Sequence, residues 1–154
     1  MIYFDSAATT LQKPPEVARR TAAAMGNLSS VGRGGHPAAM AAAETVYGCR
    51  ELAGRLFDAE PEQVIFTMNA THGLNIAIRS LVPPGGHVVV SGFEHNAVMR
   101  PLYAISPGKP VYDMAHVVAG DDDATVENFR RALTPETKAI VCTHASNVFG
   151  VRLP

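Results

Sequence analysis

Short apolar segments alternate with helical patterns through the second half of the chain, and this alternation limits the folds that the chain can adopt. The strand-like segments lie at 64–67, at 87–91, within 111–118 and at 139–143. Three helical patterns separate these segments. One lies at about 73–82, one begins near Glu94, and one ends at Leu133 with Asp123 as a candidate cap. Strands that alternate with helices form βαβ units. The sequence therefore predicts an α/β fold with a mainly parallel sheet.

The first third of the chain follows a different pattern. It predicts a short strand at 2–4, a helix from Pro15 to about Met25, and a long alanine-rich helix to about Phe57. The glycine-rich stretch NLSSVGRGGHP at 27–37 is the most loop-like part of the chain. These segments add helices to the α/β fold but no βαβ unit.

Composition excludes several classes of function. The chain has 13 basic and 14 acidic residues, a formal net charge of −1, which is not the basic excess typical of a nucleic-acid or membrane surface. No apolar run approaches the ~18 residues that a membrane helix needs. The two cysteines, Cys49 and Cys142, fall in a helical and a strand pattern and are expected to be buried reduced thiols. A cytoplasmic protein is therefore predicted.

The turn between the segment at 64–67 and the following helix consists of small polar residues, MNATHG. The first amides of a helix lack partners inside the helix and lie at the positive end of its dipole. A turn of small residues lets an anion approach them, so this turn is a candidate phosphate site with Thr71 as a hydroxyl donor. The alternative is that Asn69 or Thr71 only caps the helix.

Two later strand ends also carry polar groups. The second strand ends before Glu94 and His95, and the fourth before His144, Ser146 and Asn147. Ligands of open α/β sheets bind beyond the carboxyl ends of the strands. We therefore expect these residues and the turn at Thr71 to meet around one ligand.

Other ligand sites are disfavoured. No G-x-G-x-x-G follows a strand, and GRGGH lacks the G-K-[ST] of a nucleoside triphosphate loop. His72, His95 and His144 do not show the tight spacing of metal ligands, so no metal is predicted.

Five of these segments occur in the order and spacing of a known family. IYFDSAATT, GRGGH, FTMNATHGLN, EHNAV and THASNVFG together resemble the N-terminal portion of the cysteine desulfurase family. That family lies among the class V aminotransferase-like enzymes, which use pyridoxal phosphate on fold type I. The resemblance implies an N-terminal arm at 1–14 and a partial, incomplete pyridoxal phosphate-binding large domain at 15–154.

The resemblance also implies roles for individual residues. Ala70 and Thr71 match the turn that binds the cofactor's phosphate. His95 matches the histidine that stacks on the pyridine ring and helps to move protons, and it is the one catalytic residue implied here. Asn147 matches the asparagine beside the ring's phenolic oxygen.

The chain departs from the family pattern in two ways. His72 stands where relatives often have glutamate, just past the phosphate turn. None of the lysines, Lys13, Lys109 and Lys138, matches the Schiff-base lysine. In relatives this lysine, the aspartate at the pyridinium nitrogen, the substrate-binding arginine and the sulfur-accepting cysteine lie downstream of the Asn147 motif. We therefore expect a truncated chain that is inactive alone.

For the full-length parent, the resemblance implies conversion of L-cysteine to alanine with transfer of sulfur as an enzyme-bound persulfide. It also implies a homodimer and a sulfur-acceptor protein as partners. Two alternatives stay open: a selenocysteine lyase or other class V enzyme, and a non-catalytic binding or assembly fragment.

Overall fold

The computed structural model describes residues 2–7, 9–109 and 111–154. The chain divides into two compact units, Met1–Phe66 and Thr67–Pro154. The arm predicted at 1–14 and the partial large domain predicted at 15–154 stay predictions, and Met1 and Ala8 of that arm lie outside the described residues.

The first unit is helical. Helix α1 spans Pro15–Asn27, helix α2 spans Pro37–Phe57, and a 3-10 turn follows at Pro61–Gln63. Both helices begin with a proline, whose missing N–H is not needed in the first helical turn. At Gly54 an added Cβ would lie 2.4 Å from the carbonyl oxygen of Ala59, so only glycine permits the tight return of the chain after α2.

Two of the predicted strands do not form. Residues 2–4 and 64–67 are not in strand conformation, and neither segment pairs with another part of the described chain. A strand requires hydrogen bonds to a neighbour, and apolar composition alone cannot supply them. The apolar side chains here are instead exposed, namely Ile2, Phe4, Ile65 and Phe66.

The second unit contains the parallel sheet. Strands β1 (His87–Ser91), β2 (Tyr112–Ala115) and β3 (Thr137–Val141) lie in the order β2-β1-β3, and both pairings are parallel. The predicted α/β fold with a mainly parallel sheet is therefore confirmed. Strand β3 begins and ends two residues before the predicted segment at 139–143.

Helices α3 (Ala70–Leu81), α4 (Asn96–Ile105) and α5 (Asp122–Ala132) accompany the sheet. Helix α4 begins at Asn96, slightly later than predicted, because His95 caps it. The cap of α5 is Asp121, whose side chain accepts a hydrogen bond from the N–H of Ala124 at 2.9 Å. The prediction of Asp123 as the cap was wrong, because that residue already lies inside the first turn.

The core lies around the central strand β1. Val88, Val89 and Val90 are fully buried, as expected of a strand that has neighbours on both edges and an unbroken apolar run. One core cluster joins Val88 and Val90 to α3 and α4, and its buried members are Ile78, Val82, Val88, Val90, Val98, Leu102 and Val111. The end of β1 is therefore held firmly, and the residues that follow it start from a fixed point.

The cysteines differ from the prediction. Cys49 and Cys142 are free thiols, and both are exposed. In the described part of the chain, no helix combines the length and the apolar character needed to cross a membrane.

Candidate functional site

The turn before α3 leaves backbone amides open. Asn69 caps the helix, since its side-chain oxygen accepts from the N–H of His72 at 2.9 Å and its carbonyl accepts from Gly73 at 3.1 Å. The N–H groups of Ala70 and Thr71 donate to no group in the described part of the chain. The cap and an anion site are therefore compatible, because Asn69 satisfies the third helical amide and leaves the first two accessible.

Thr71 and His95 line one cleft. This cleft, of about 370 Å³, lies between α3 and α4 and is called the α3–α4 cleft. Its lining comprises Thr71, Asn75, Arg79, His95, Asn96, Ala97, Arg100, Pro101 and Ala104. The lining contains two arginines and no carboxylate, and neither arginine forms an ion pair with a described residue. Together with the helix dipole, these charges favour an anionic ligand.

His95 has a defined ring orientation. Its Nδ1 atom accepts a hydrogen bond from the N–H of Ala97 at 3.0 Å, and its backbone carbonyl accepts from Val98 at 2.9 Å. Because Nδ1 is an acceptor, the neutral ring carries its proton on Nε2. The side chain is exposed, so Nε2 is the nitrogen available to a ligand.

His95 and Asn147 line a second cleft. This cleft, of about 360 Å³, follows the ends of β1 and β3 and is called the β1–β3 cleft. Its lining comprises Gly92, Phe93, Glu94, His95, Asn96, Thr143, Ser146, Asn147, Val148 and Phe149. The rings of Phe93 and Phe149 stack with their centroids 4.3 Å apart. His95 is thus common to both clefts.

A closed turn carries Asn147. The N–H of Ser146 donates to the carbonyl of Val151 at 2.9 Å, and the N–H of Gly150 donates to the carbonyl of Ser146 at 2.9 Å. An antiparallel bridge between Ala145 and Arg152 closes the base of the turn. Asn147 is exposed at this turn, so its carboxamide is free to meet a ligand.

The predicted site residues are divided between the two clefts. Thr71 and His95 share the α3–α4 cleft, and His95 and Asn147 share the β1–β3 cleft. Ala70 contributes its open amide but does not line either cleft. His72 and His144 line neither one, and the described residues contain no group of three or more potential metal ligands.

Comparison with known proteins decides the family. The family model for class-V aminotransferases matches residues 2–154. The chain belongs to the class-V aminotransferase family. A probable cysteine desulfurase of Vibrio cholerae is 31% identical over the whole of this chain and 39% of the relative's length.

Solved structures share the fold of this chain. DndA from Streptomyces lividans is 29% identical, with a TM-score of 0.77 over 99% of this chain and 44% of its own. A C-DES variant with glycine covalently linked to its pyridoxal phosphate cofactor is 21% identical, with a TM-score of 0.72 over 92% of this chain and 37% of its own. This second likeness shows the fold alone. The class-V chain spans about 39% of the length of the curated relatives.

Sequence reasoning placed Glu94 of this class-V chain at a strand end but gave it no role. Its carboxylate accepts hydrogen bonds from Ser91 and from both donors of Thr143, and so joins the ends of β1 and β3. The only signal in the sequence is an acidic residue shortly after a buried strand and immediately before His95. A carboxylate at that position is too common to predict a contact with a residue 49 positions away.

Proposed function

We propose that this class-V chain binds pyridoxal phosphate at the carboxyl edge of its sheet, and that the whole protein is a cysteine desulfurase. The observation that carries the proposal is the pair of open amides at Ala70 and Thr71, beside a cleft that also contains His95. The names of the similar proteins, cysteine desulfurases and a C-DES variant with its cofactor, support this choice of ligand and reaction.

The phosphate would lie against the start of α3. The amides of Ala70 and Thr71 and the Thr71 hydroxyl are three donors at the positive end of a 12-residue helix. Arg79 and Arg100 add positive charge to the same cleft. The residues present therefore fit a dianionic phosphate group, since they offer donors and cations without a carboxylate that would repel it.

The pyridine ring would lie against His95, with Asn147 beside its phenolic oxygen. The Ala97 N–H already occupies Nδ1 of His95, so Nε2 is the atom that would hold and release a proton near the substrate. The Asn147 carboxamide can donate to an oxygen anion from its turn. When bound, the cofactor supplies an electron sink for bonds at the amino acid's α-carbon.

The substrate of the whole protein would be L-cysteine, with alanine and persulfide sulfur as products. None of Lys13, Lys109 and Lys138 lines either cleft. The chain alone should therefore hold the cofactor without a covalent bond and leave L-cysteine unchanged. For the whole protein we further propose a cytoplasmic homodimer that passes sulfur to an acceptor protein, on the strength of the family resemblance.

Calorimetric titration with pyridoxal phosphate and with pyridoxal tests the phosphate site. Thr71→Ala removes a donor to a charged group, which is worth about 1.5–3 kcal/mol, so pyridoxal phosphate should bind about 10- to 150-fold more weakly. Pyridoxal lacks the phosphate, and its affinity should stay unchanged. Ser80→Ala, an exposed substitution near the other end of α3, is the matched control and should change neither affinity.

Equal losses for both ligands in Thr71→Ala would contradict the assignment of this turn to the phosphate. If the wild-type protein bound neither ligand, the non-catalytic alternative would replace the proposal. Comparing the turnover of cysteine and selenocysteine by the whole protein separates the desulfurase from a selenocysteine lyase.

A further inference from the structure

We propose that Glu94 is a positioning residue that holds the His95 segment and the Asn147 turn at one edge of the sheet. The inference rests on the proposed function, because His95 and Asn147 are the residues there that face the cofactor ring. Among the described residues, the Glu94 side chain forms hydrogen bonds with Ser91 and Thr143, so we expect it to act through the segments that these bonds hold.

Three hydrogen bonds converge on the Glu94 carboxylate. Ser91 Oγ donates to Oε1 at 2.5 Å, the backbone N–H of Thr143 donates to Oε1 at 2.6 Å, and Thr143 Oγ1 donates to Oε2 at 3.0 Å. A carboxylate has two oxygens that can accept several hydrogen bonds, so one side chain satisfies all three donors. Ser91 is only 1% exposed, so its hydroxyl has little access to water as a substitute partner.

The Glu94 carboxylate connects the two segments beyond the point where strand pairing ends. The β1–β3 pairing ends at Val90 and Val141, and in the described part of the chain no strand pairing holds the two segments together after these residues. Glu94, four residues after Val90, joins the two segments again through Thr143, two residues after Val141. Glu94 and Thr143 both line the β1–β3 cleft, so these hydrogen bonds connect the two segments that border it.

His95 is held on both sides by this arrangement. Its neighbour Glu94 is bonded to two strand ends, and its own ring and carbonyl are bonded to the first turn of α4. On the opposite side, Thr143 leads directly into the closed turn that carries Asn147. Loss of the carboxylate should therefore misplace both ring-facing residues relative to each other.

A set of substitutions in the whole protein tests this role. Glu94→Ala removes all three bonds, whereas Glu94→Gln keeps one carbonyl acceptor for Ser91 and Thr143 and can donate to Thr143 Oγ1. Glu136→Ala is the control, because it removes an exposed carboxylate from the same unit that makes no side-chain hydrogen bond or ion pair among the described residues.

Two readouts separate positioning from general stability. The first is the ¹⁵N NMR signature of the His95 ring without cofactor, whose chemical shifts should change in Glu94→Ala because the surroundings of the ring change, while the Ala97 N–H bond keeps the Nε2–H tautomer. The second is visible circular dichroism per bound pyridoxal phosphate, which reports how the ring is held and should fall in Glu94→Ala. Glu94→Gln should restore most of both signals, and Glu136→Ala should change neither. Turnover should fall on the order of tenfold or more in Glu94→Ala, as expected of misplaced groups.

Unchanged His95 ring signals and unchanged dichroism in Glu94→Ala would overturn the inference, whatever happens to the melting temperature. If the wild type binds no pyridoxal phosphate, the proposed function fails and the ring signals alone decide the role of Glu94. If Glu94→Ala does not fold, Ser91→Ala removes one of the three bonds and must shift the same ring signals in the same direction, or the inference is wrong.

Discussion

Glu94 and Thr143 are 49 positions apart in the chain and are joined by two hydrogen bonds, from the backbone N–H at 2.6 Å and from Oγ1 at 3.0 Å. The contact exists because β1 is the central strand and β3 is its neighbour, so the segments that follow these two strands emerge side by side. It places a hydrogen-bonded carboxyl group in the lining of the cleft that contains His95 and Asn147. The strand order thus brings Thr143 to Glu94 at the carboxyl edge of the sheet.

Thr143→Val should lower the free energy of unfolding by about 1–2 kcal/mol, because it removes a donor to the charged, half-buried Glu94. Thr143→Ser keeps the hydroxyl and loses only one methyl group, so its loss should stay below about 0.8 kcal/mol. Urea denaturation curves of the two variants and the wild type provide the comparison. Equal losses in the two variants would show that the hydroxyl bond does not contribute.

The cap of α3 gives a second prediction. Asn69→Ala removes the acceptor for the N–H of His72 and should cost about 1 kcal/mol of folding stability, whereas Asn69→Gly should cost only a few tenths. Thermal or urea unfolding measures both losses. A loss in Asn69→Gly as large as that in Asn69→Ala would contradict the cap as the source of stabilisation.

The thiol of Cys142 gives a prediction about pH. Although Cys142 is exposed as a residue, partial burial of its sulfur, and then the negative charge of Glu94, raise the pKa of this thiol above its ordinary value. A raised pKa means less thiolate at a given pH below it, so alkylation by iodoacetamide should reach its plateau at a higher pH than for an ordinary thiol. The measurement uses Cys49→Ser, which leaves Cys142 as the only thiol in the chain.

Adding Glu94→Gln to the Cys49→Ser protein removes the negative charge beside Cys142 and should shift the alkylation profile towards lower pH. The shift should be partial, because burial is the larger cause of the raised pKa. A profile that does not move would show that Glu94 has no electrostatic influence on Cys142. The alkylation rate at high pH serves as the control. The Cys142 thiol is then fully ionised with and without Glu94→Gln, so the two proteins should react at similar rates.

The sequence predicted the α/β fold because β1 and the helices beside it have the right periodicities. The structure retains two local signals: three consecutive buried valines in β1 and the apolar spacing of α3, in which Ile78 is buried. The segment at 64–67 carried a similar apolar signal but formed no strand. Strand formation depends on a backbone partner elsewhere, which a local pattern cannot reveal.

Some features of the candidate site could also be predicted from local sequence patterns, and others could not. The positions of Thr71, His95 and Asn147 near strand or helix ends could be predicted, because they follow local patterns and a family resemblance. The Glu94–Thr143 contact could not, since it depends on strand order, and the sequence does not state that β3 rather than β2 lies beside the end of β1 on that side. The exposure of Cys142 depends on the same edge strand.

The most direct test of the central claim maps the amide signals of ¹⁵N-labelled protein by NMR while pyridoxal phosphate is added. The largest shifts should belong to Ala70 and Thr71, whose N–H groups are open in the described structure, followed by His95 and Asn147. Pyridoxal without its phosphate should leave Ala70 and Thr71 nearly unshifted while still moving His95. Shifts confined to other surfaces, or none at Ala70 and Thr71, would contradict the cofactor site.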